Sequence, residues 1–299
     1  MLKFRAFDAN DRTLVQSYTY KTTYRNCDLA FANMFVWRFL YDTQIAEADG
    51  FLFVKYWFHS KPFYMLPLGD GDLGGAIMKI VAFAAENDQR FCMQGLTLEM
   101  KEAIERCLPN RFAFTTNNEY SDYIYLREDL AGLVGKKYQP KRNHINQFKR
   151  TYPDYRFVPL STELIPQCME LVSHWKSVNQ DEKDKSYIAL ESESNAIHRA
   201  FDNYKELDLQ GGALIVDNRV VAFTYGSPIN NTVFDVAVEK ADATYTGAYA
   251  MINNEFAKTI PEQYQFINRE EDLGIEGLRK AKLSYHPYEI LDKYTAKML

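Results

Sequence analysis

The chain has few cysteines and sets them far apart: Cys27, Cys92, Cys107 and Cys168 form no CxxC or CxxxC pair. That spacing excludes a zinc ribbon and a disulfide-stapled framework. The histidines His59, His144, His174, His198 and His286 are equally dispersed, and neither an HExxH nor a GxSxG occurs. Metal-dependent and serine-hydrolase chemistry therefore find no footing. No stretch approaches the ~18–20 apolar residues of a membrane span, and Met1–Asp8 lacks the apolar core of a secretory signal. The expectation is a soluble, reduced, cytoplasmic protein with no metal and no tightly bound cofactor. Positive charge is also in short supply. With 35 Lys and Arg against 40 Asp and Glu, the net charge is −5, which excludes a generally cationic nucleic-acid binder but not a local basic strip.

What is present is ordinary globular material: 46% hydrophobic and 25% charged residues, with 21 Tyr and 20 Phe to fill a core. A length of 299 residues is twice the roughly 150 of a typical domain, so two modest domains are expected.

The second half shows the clearer order. Tyr155–Val158 reads as a strand. Leu164, Ile165, Cys168, Leu171, Val172, Trp175 and Val178 recur at helical spacing. A charged loop, Asp181–Lys185, leads to a helix with Ile197, Ala200, Phe201 and Tyr204 on one face, stopped by Gly211-Gly212. Three β-branched runs separated by Asx-rich turns follow, at 213–216, 220–225 and 232–239. A helix after Gly247, a strand at 264–268, a helix over about 275–283 and a strand near 288–291 complete a β-α-α-β-β-β-α-β-α-β succession. That order resembles the GNAT acyltransferase fold. The first half repeats it less clearly, with strands near 3–7, 43–46, 51–58, 62–68, 91–93 and 112–115 and helices near 11–18, 29–40, 76–85 and 98–107. The order of elements, not residue identity, suggests tandem duplication.

Two clusters carry candidate chemistry. Between residues 136 and 150 lie six Lys or Arg side chains and His144, interleaved with Tyr138 and Phe148. Pro140 suits a helix start, and three- and four-residue spacing puts Arg142, Asn146 and Lys149 near one face. Such a face can neutralise phosphates while an aromatic ring stacks a base; a solvated linker helix would read the same way. At Asn268-Arg269-Glu270-Glu271-Asp272, polar side chains gather at a strand end. An acid there can take a proton from an amine or pair with a cationic aminoacyl group, and Arg269 can hold a phosphate or carboxylate. Helix capping by Asp272 is the plainer alternative.

Strand alternation puts Val233, Asp235, Ala237 and Glu239 on one face of a central strand, so Asp235 must be paired or have a raised pKa; a structural hydrogen bond is the competing reading. Gly247 opens a helix where a phosphate can sit, although it is the single glycine of its loop. Gly69-Asp-Gly71-Asp-Leu-Gly74-Gly75 matches GxGxxG literally. Its aspartates and its place in a meander argue against a dinucleotide site.

The segments Leu133–Arg150 and Asn268–Lys282 together resemble a bacterial family grouped with the C-terminal catalytic domain of phosphatidylglycerol lysyltransferases. The resemblance covers nearly the whole chain. It implies an α+β architecture of two tandem GNAT-like domains, each a mixed, mainly antiparallel sheet flanked by helices. The expected division is a degenerate domain at 1–130, a basic linker helix at 131–152 and a site-bearing domain at 153–299. It also implies transfer of an aminoacyl group from aminoacyl-tRNA to an amine or hydroxyl of a lipid or peptide. Catalytic roles then fall on Asp235, Arg269, Glu270 and Asp272. Substrate contacts fall on Asn268, Glu271, Arg279, Lys136, Lys137, Lys141, Arg142, Asn143, His144 and Lys149, the basic ones towards tRNA. Two alternatives stand beside this: an acetyl-CoA-dependent N-acyltransferase using the Gly247 loop, and a binding module that kept the fold without the reaction.

Overall fold

The computed structural model describes residues 2–179 and 186–299; the stretch 181–185, expected to be a charged loop, lies outside them. The first half runs β1 (Arg5–Ala6), α1 (Arg12–Thr19), α2 (Phe31–Tyr41), β2 (Gln44–Ala48), β3 (Phe51–Phe58), β4 (Lys61–Tyr64), β5 (Leu68–Gly69), α3 (Leu73–Glu86), β6 (Cys92–Leu96), α4 (Leu98–Cys107) and β7 (Phe112–Thr116). Then come β8 (Asp122–Leu126), α5 (Arg127–Gly132) and α6 (Gln139–Thr151). The second half runs β9 (Arg156–Pro159), α7 (Ile165–Asn179), α8 (Ser186–Asp202), β10 (Gln210–Val216), β11 (Arg219–Pro228), β12 (Val233–Ala241), α9 (Ala248–Thr259), β13 (Phe266–Asn268), α10 (Glu276–Leu283), β14 (Glu289–Leu291) and β15 (Tyr294–Met298).

Local chemistry sets the element ends. The Thr97 hydroxyl accepts from the Met100 N–H to start α4, and Asp42 ends α2 in the left-handed region. Asp72 starts α3 by accepting from the Gly75 N–H at 2.9 Å. A carboxylate thus already occupies the helix start that a pyrophosphate would need, and the GxGxxG match is a structural turn.

The strands do not separate at residue 130. The first sheet has the order β1-β2-β3-β4-β6-β15-β7, with β5 beside β3, and the second has β14-β8-β13-β12-β11-β10-β9. In each half the chain builds the same ladder of four antiparallel strands. A crossover helix then leads to a parallel neighbour, β4 to β6 and β12 to β13. The last strand of each repeat crosses over: β8, from the end of the first half, sits between β13 and β14, and β15, at the chain's end, sits between β6 and β7. The expected cut at 130/131 leaves β8 on the wrong side of its own sheet. Neither β8 nor β15 was anticipated, since nothing in a five-residue run says which sheet receives it.

Helices lie against both sheets, and the two halves share a core. One apolar cluster runs from Phe31, Leu52 and Phe53 to Phe223, Ile229 and Val233. Three asparagines of the second half clamp the segment before α2: Asn230, Asn231 and Asn268 donate to the carbonyls of Tyr24, Tyr20 and Arg25. The architecture is two GNAT-like units, as expected, joined by exchanged strands.

Candidate functional site

The site starts from a break in a ladder. On β11, Tyr225 faces Val238 while Ser227 faces Asp235, so Gly226 alone spans Val236 and Ala237. This β-bulge resets the alternation. A Cβ on Gly226 would lie 1.8 Å from the Asp235 carbonyl oxygen, so no other residue fits the close approach. The expected shared face of Asp235 and Glu239 is therefore corrected. Asp235 faces the seam between the halves, whereas Glu239 turns to the opposite side and accepts from Asn253 on α9.

Asp235 pairs in register with Asn268 across the parallel β12–β13 contact. At the seam Asn268 donates to Asp122 on β8 at 2.8 Å and accepts from the Glu270 N–H at 2.6 Å. That bond helps hold Glu270 at φ 56, in the left-handed region. The Lys282 ammonium on α10 donates to the carbonyls of Arg269, Glu270 and Glu271. The backbone of this loop is thereby fixed.

Its side chains then meet residues of the first half. Glu270 accepts from Asn33 on α2 at 2.7 Å. Lys293, just before β15, pairs with Asp28, Asp122 and Glu271, and Asp122 accepts from the Cys27 N–H. Cys27, Asp28 and Asp122 bring three ligating atoms together, but the Lys293 ammonium sits there already, 2.8 Å from Asp122 and 3.5 Å from the Cys27 sulfur.

The proton affinities follow from this packing. Burial, then the neighbouring Glu271, raises Glu270 to about 8, with the Asn33 hydrogen bond working the other way. Burial and Glu270 push Asp235 well above the usual carboxylate range. Asp235 is 1% exposed, and neither of its carboxyl oxygens makes a hydrogen bond to a described residue. Burial opposes charge on Lys293 as well, yet Asp122 and Asp28 raise its pKa well above normal.

Arg269 lies across the sheet from this cluster. Its guanidinium pairs with Glu239 at 2.9 Å and packs against Tyr125 and Tyr285, and one of its nitrogens, Nη1, is buried with no hydrogen-bond partner among the described residues. Lys141 of α6 joins it there, 3.8 Å from the Tyr285 ring centre and bonded to the Ser284 hydroxyl. Burial and then Arg269 lower Lys141 to about 8. The anticipated single cleft is thus two clusters, one on each face of β13.

Asp272 belongs to neither. It is fully buried and accepts from the Tyr123 hydroxyl, the Gly274 N–H and two Arg279 nitrogens. Those donors, Arg279 first, hold it at about 2. With every acceptor committed, it braces the loop and is unsuited to moving protons. It does not cap α10 either, because the residue before that helix is Ile275.

The basic segment is partly structural. Tyr138 and Phe148 are fully buried, which corrects their expected role as stacking platforms. Arg142 bonds the carbonyls of Leu133 and Gly135 and the Gln139 amide oxygen, and Lys137 pairs with Asp129. Asn143 accepts from Gln139. Lys136, His144, Lys149 and Arg150 remain exposed. Gly247 has φ 90, and a Cβ there would lie 2.4 Å from the His144 carbonyl oxygen. Its place at the start of α9 therefore serves close packing of α6 and leaves little room for a phosphate.

Sequence reading missed Asn33, Cys27, Asp28, Asp122 and Lys293, which approach the site only through the strand exchange and the shared core, and Lys282, which reaches it from α10 by folding back on the loop just before that helix. A separate surface cavity of about 220 Å³ between α7 and the β10–β11 turn, lined by Glu170, His174, Arg219 and Asp242 among others, contains none of the expected site residues.

Two repeats of a mixed sheet, exchanged terminal strands and an acid cluster on the seam define a tandem GNAT-fold protein. The chain belongs to the family described as phosphatidylglycerol lysyltransferase, C-terminal, which it matches over residues 21–297. It is 49% identical, with a TM-score of 0.96 over 100% of both chains, to a conserved protein of unknown function from Bacteroides thetaiotaomicron. Its fold is similar to that of L-PGS from Bacillus licheniformis, with a TM-score of 0.65 at 14% identity over 96% of this chain and 91% of that one. An uncharacterized protein of Mycoplasmoides gallisepticum is 24% identical over 180 residues, 60% of this chain. That match spans only 56% of the curated relative's own length.

Proposed function

We propose that the chain transfers an aminoacyl group from aminoacyl-tRNA to an amine or hydroxyl acceptor, with the Asp235–Glu270 carboxyl pair moving the proton. In such a transfer the acceptor nitrogen or oxygen bonds to the ester carbonyl carbon, and the bond from that carbon to the ribose oxygen breaks. The acceptor loses a proton and the ribose oxygen gains one. A carboxyl group held near 8, as Glu270 is, gives and takes a proton around neutral pH, which suits both halves of the exchange.

The observation that carries this reading is Asp235: wholly buried, with no hydrogen-bond partner at either oxygen among the described residues, and beside a second protonated acid. Structural acids at such depth are normally hydrogen-bonded, and departures from that rule concentrate at functional sites. Family membership supports an aminoacyl donor, and exposed Lys136, His144, Lys149 and Arg150 offer charge to a phosphate backbone. The packing of α6 on Gly247 speaks against acetyl-CoA.

The test offers the protein a mixed pool of labelled aminoacyl-tRNAs, and separately labelled acetyl-CoA, with amine, lipid and peptide acceptors. Aminoacyl label should move, and Asp235→Asn and Glu270→Gln should each slow it by about 100-fold or more. Transfer from acetyl-CoA alone, or undiminished aminoacyl transfer in both variants, overturns the proposal.

A further inference from the structure

Large apolar side chains that reach solvent are concentrated around α10. Leu273 and Ile275, just before the helix, are each 56% exposed, and Leu278, Leu283 and Ile290 are exposed as well. Ile290 is in register with Tyr123, whose hydroxyl bonds Asp272 beside the helix, so it lies on the same side of the sheet. Single apolar residues are ordinary on a surface, but a cluster of this kind marks a contact. The inner face of α10 is fully employed: Lys282 holds the carbonyls of the site loop and Arg279 holds Asp272. The outer face is not. A Cβ on Gly277 would meet nothing within 4 Å. Ala281 is exposed, and so are Glu276 and Lys280, which form no ion pair with a described residue.

We infer that the outer face of α10 is a self-association surface, on which a second copy of this chain packs its own α10 antiparallel across a two-fold axis. Helical geometry brings Glu276 and Lys280 to one flank of that face, Gly277 and Ala281 to its middle and Leu278 to the other flank. A two-fold axis level with Leu278, midway between 276 and 280, sets each Glu276 against the Lys280 of the other copy. It also sets Leu278 against its own counterpart. The face is thus complementary to itself, as an isologous interface must be. The glycine and alanine let the two helices approach closely, since side chains at the contact set the interaxial distance. Ile290, on the edge strand β14 of the second sheet, extends the apolar area to an otherwise open edge. A lipid surface is the other occupant for such a face. Glu119 and Glu276 border it, however, and Arg279 is committed to Asp272, so anionic headgroups meet little attraction. Association at α10 is independent of which reaction the seam performs.

The test is sedimentation equilibrium of the full chain from about 1 to 100 µM, the range in which an interface of modest size dissociates. The weight-average mass should rise from one chain towards two. Gly277→Gln replaces a poor helix former by a good one and fills the middle of the face. It should keep or raise the melting temperature while the mass stays at one chain. Leu278→Glu should weaken association by at least about tenfold. Glu276→Lys and Lys280→Glu each oppose like charges and should weaken it by about tenfold at low salt. The double variant Glu276→Lys/Lys280→Glu should recover the original affinity to within about threefold. That rescue distinguishes antiparallel pairing from any other use of the face. A single-chain mass at every concentration overturns the inference. So does association that Gly277→Gln leaves intact, or a charge reversal that the double variant fails to repair. A chain that stays single but sediments with phosphatidylglycerol vesicles, and loses them in Leu278→Glu, assigns the face to a lipid surface and overturns it too.

Discussion

Asp235 and Asp272 are both almost wholly buried, at 1% and 0% exposure, and their proton affinities move in opposite directions. Asp272 has four donors and sits near 2; Asp235 has none among the described residues and is driven upward. Partners, not depth, decide the sign. The sequence marked both positions, because acids on a central strand and at its parallel neighbour's end are conspicuous. It had no means of separating them, since Tyr123, Gly274 and Arg279 gather around Asp272 only in the folded loop. The consequence is measurable. An acid whose folded pKa is raised makes the native state bind the extra proton, so stability falls as pH rises from the unfolded value near 4 to the folded one. For Glu270 that window runs from about 4.5 to about 8. Glu270→Gln removes the term: its unfolding free energy, measured by denaturant titration, should lose up to about 1.4 kcal/mol per pH unit of downward slope, leaving the variant more stable than wild type at pH 8. An unchanged slope would mean that Glu270 ionises normally.

At the level of elements, helices and long strands were legible because their apolar spacing repeats. That holds for α2, α3, α4 and α9, and for β3, whose Phe51–Val54 are all buried. Alternation failed at β12, where one extra residue turns Glu239 away from Asp235 and so splits the site across two faces. The bulge is written in the chain only as Gly226, an inconspicuous glycine within a strand. Gly226→Ala should therefore do more than a surface change. With its Cβ 1.8 Å from the Asp235 carbonyl oxygen and 2.8 Å from the Phe234 ring, β11 and β12 must move apart. We expect a loss of about 3 kcal/mol or more in chemical denaturation, with the Asp235 environment disturbed before the first sheet is. A loss below about 0.5 kcal/mol would show that the ladder closes without the bulge.

Taken whole, the molecule is a duplication whose copies cannot be parted. Lys293 illustrates why. It belongs to the last segment of the chain, neutralises Asp28 of the first half, Asp122 of the second sheet and Glu271 in the loop after β13, and leads directly into β15, which fills the gap between β6 and β7. In return β8 fills the gap between β13 and β14. A fragment of residues 1–130 would lack β15 and leave two strands of its sheet facing an empty place; a fragment of residues 131–299 would lack β8 in the same way. Unpaired backbone at such interior positions is expensive, and the open edges invite aggregation. Neither fragment should unfold cooperatively alone, while co-expression should restore both sheets. The intact chain should melt in one transition, with coincident curves from backbone circular dichroism and from Trp fluorescence. Two separated transitions, or a fragment cut at 130 that folds by itself, would mean that the exchanged strands are ornaments on two self-sufficient domains. In that case the seam, with its carboxyl pair, would be a contact formed by docking and not by folding.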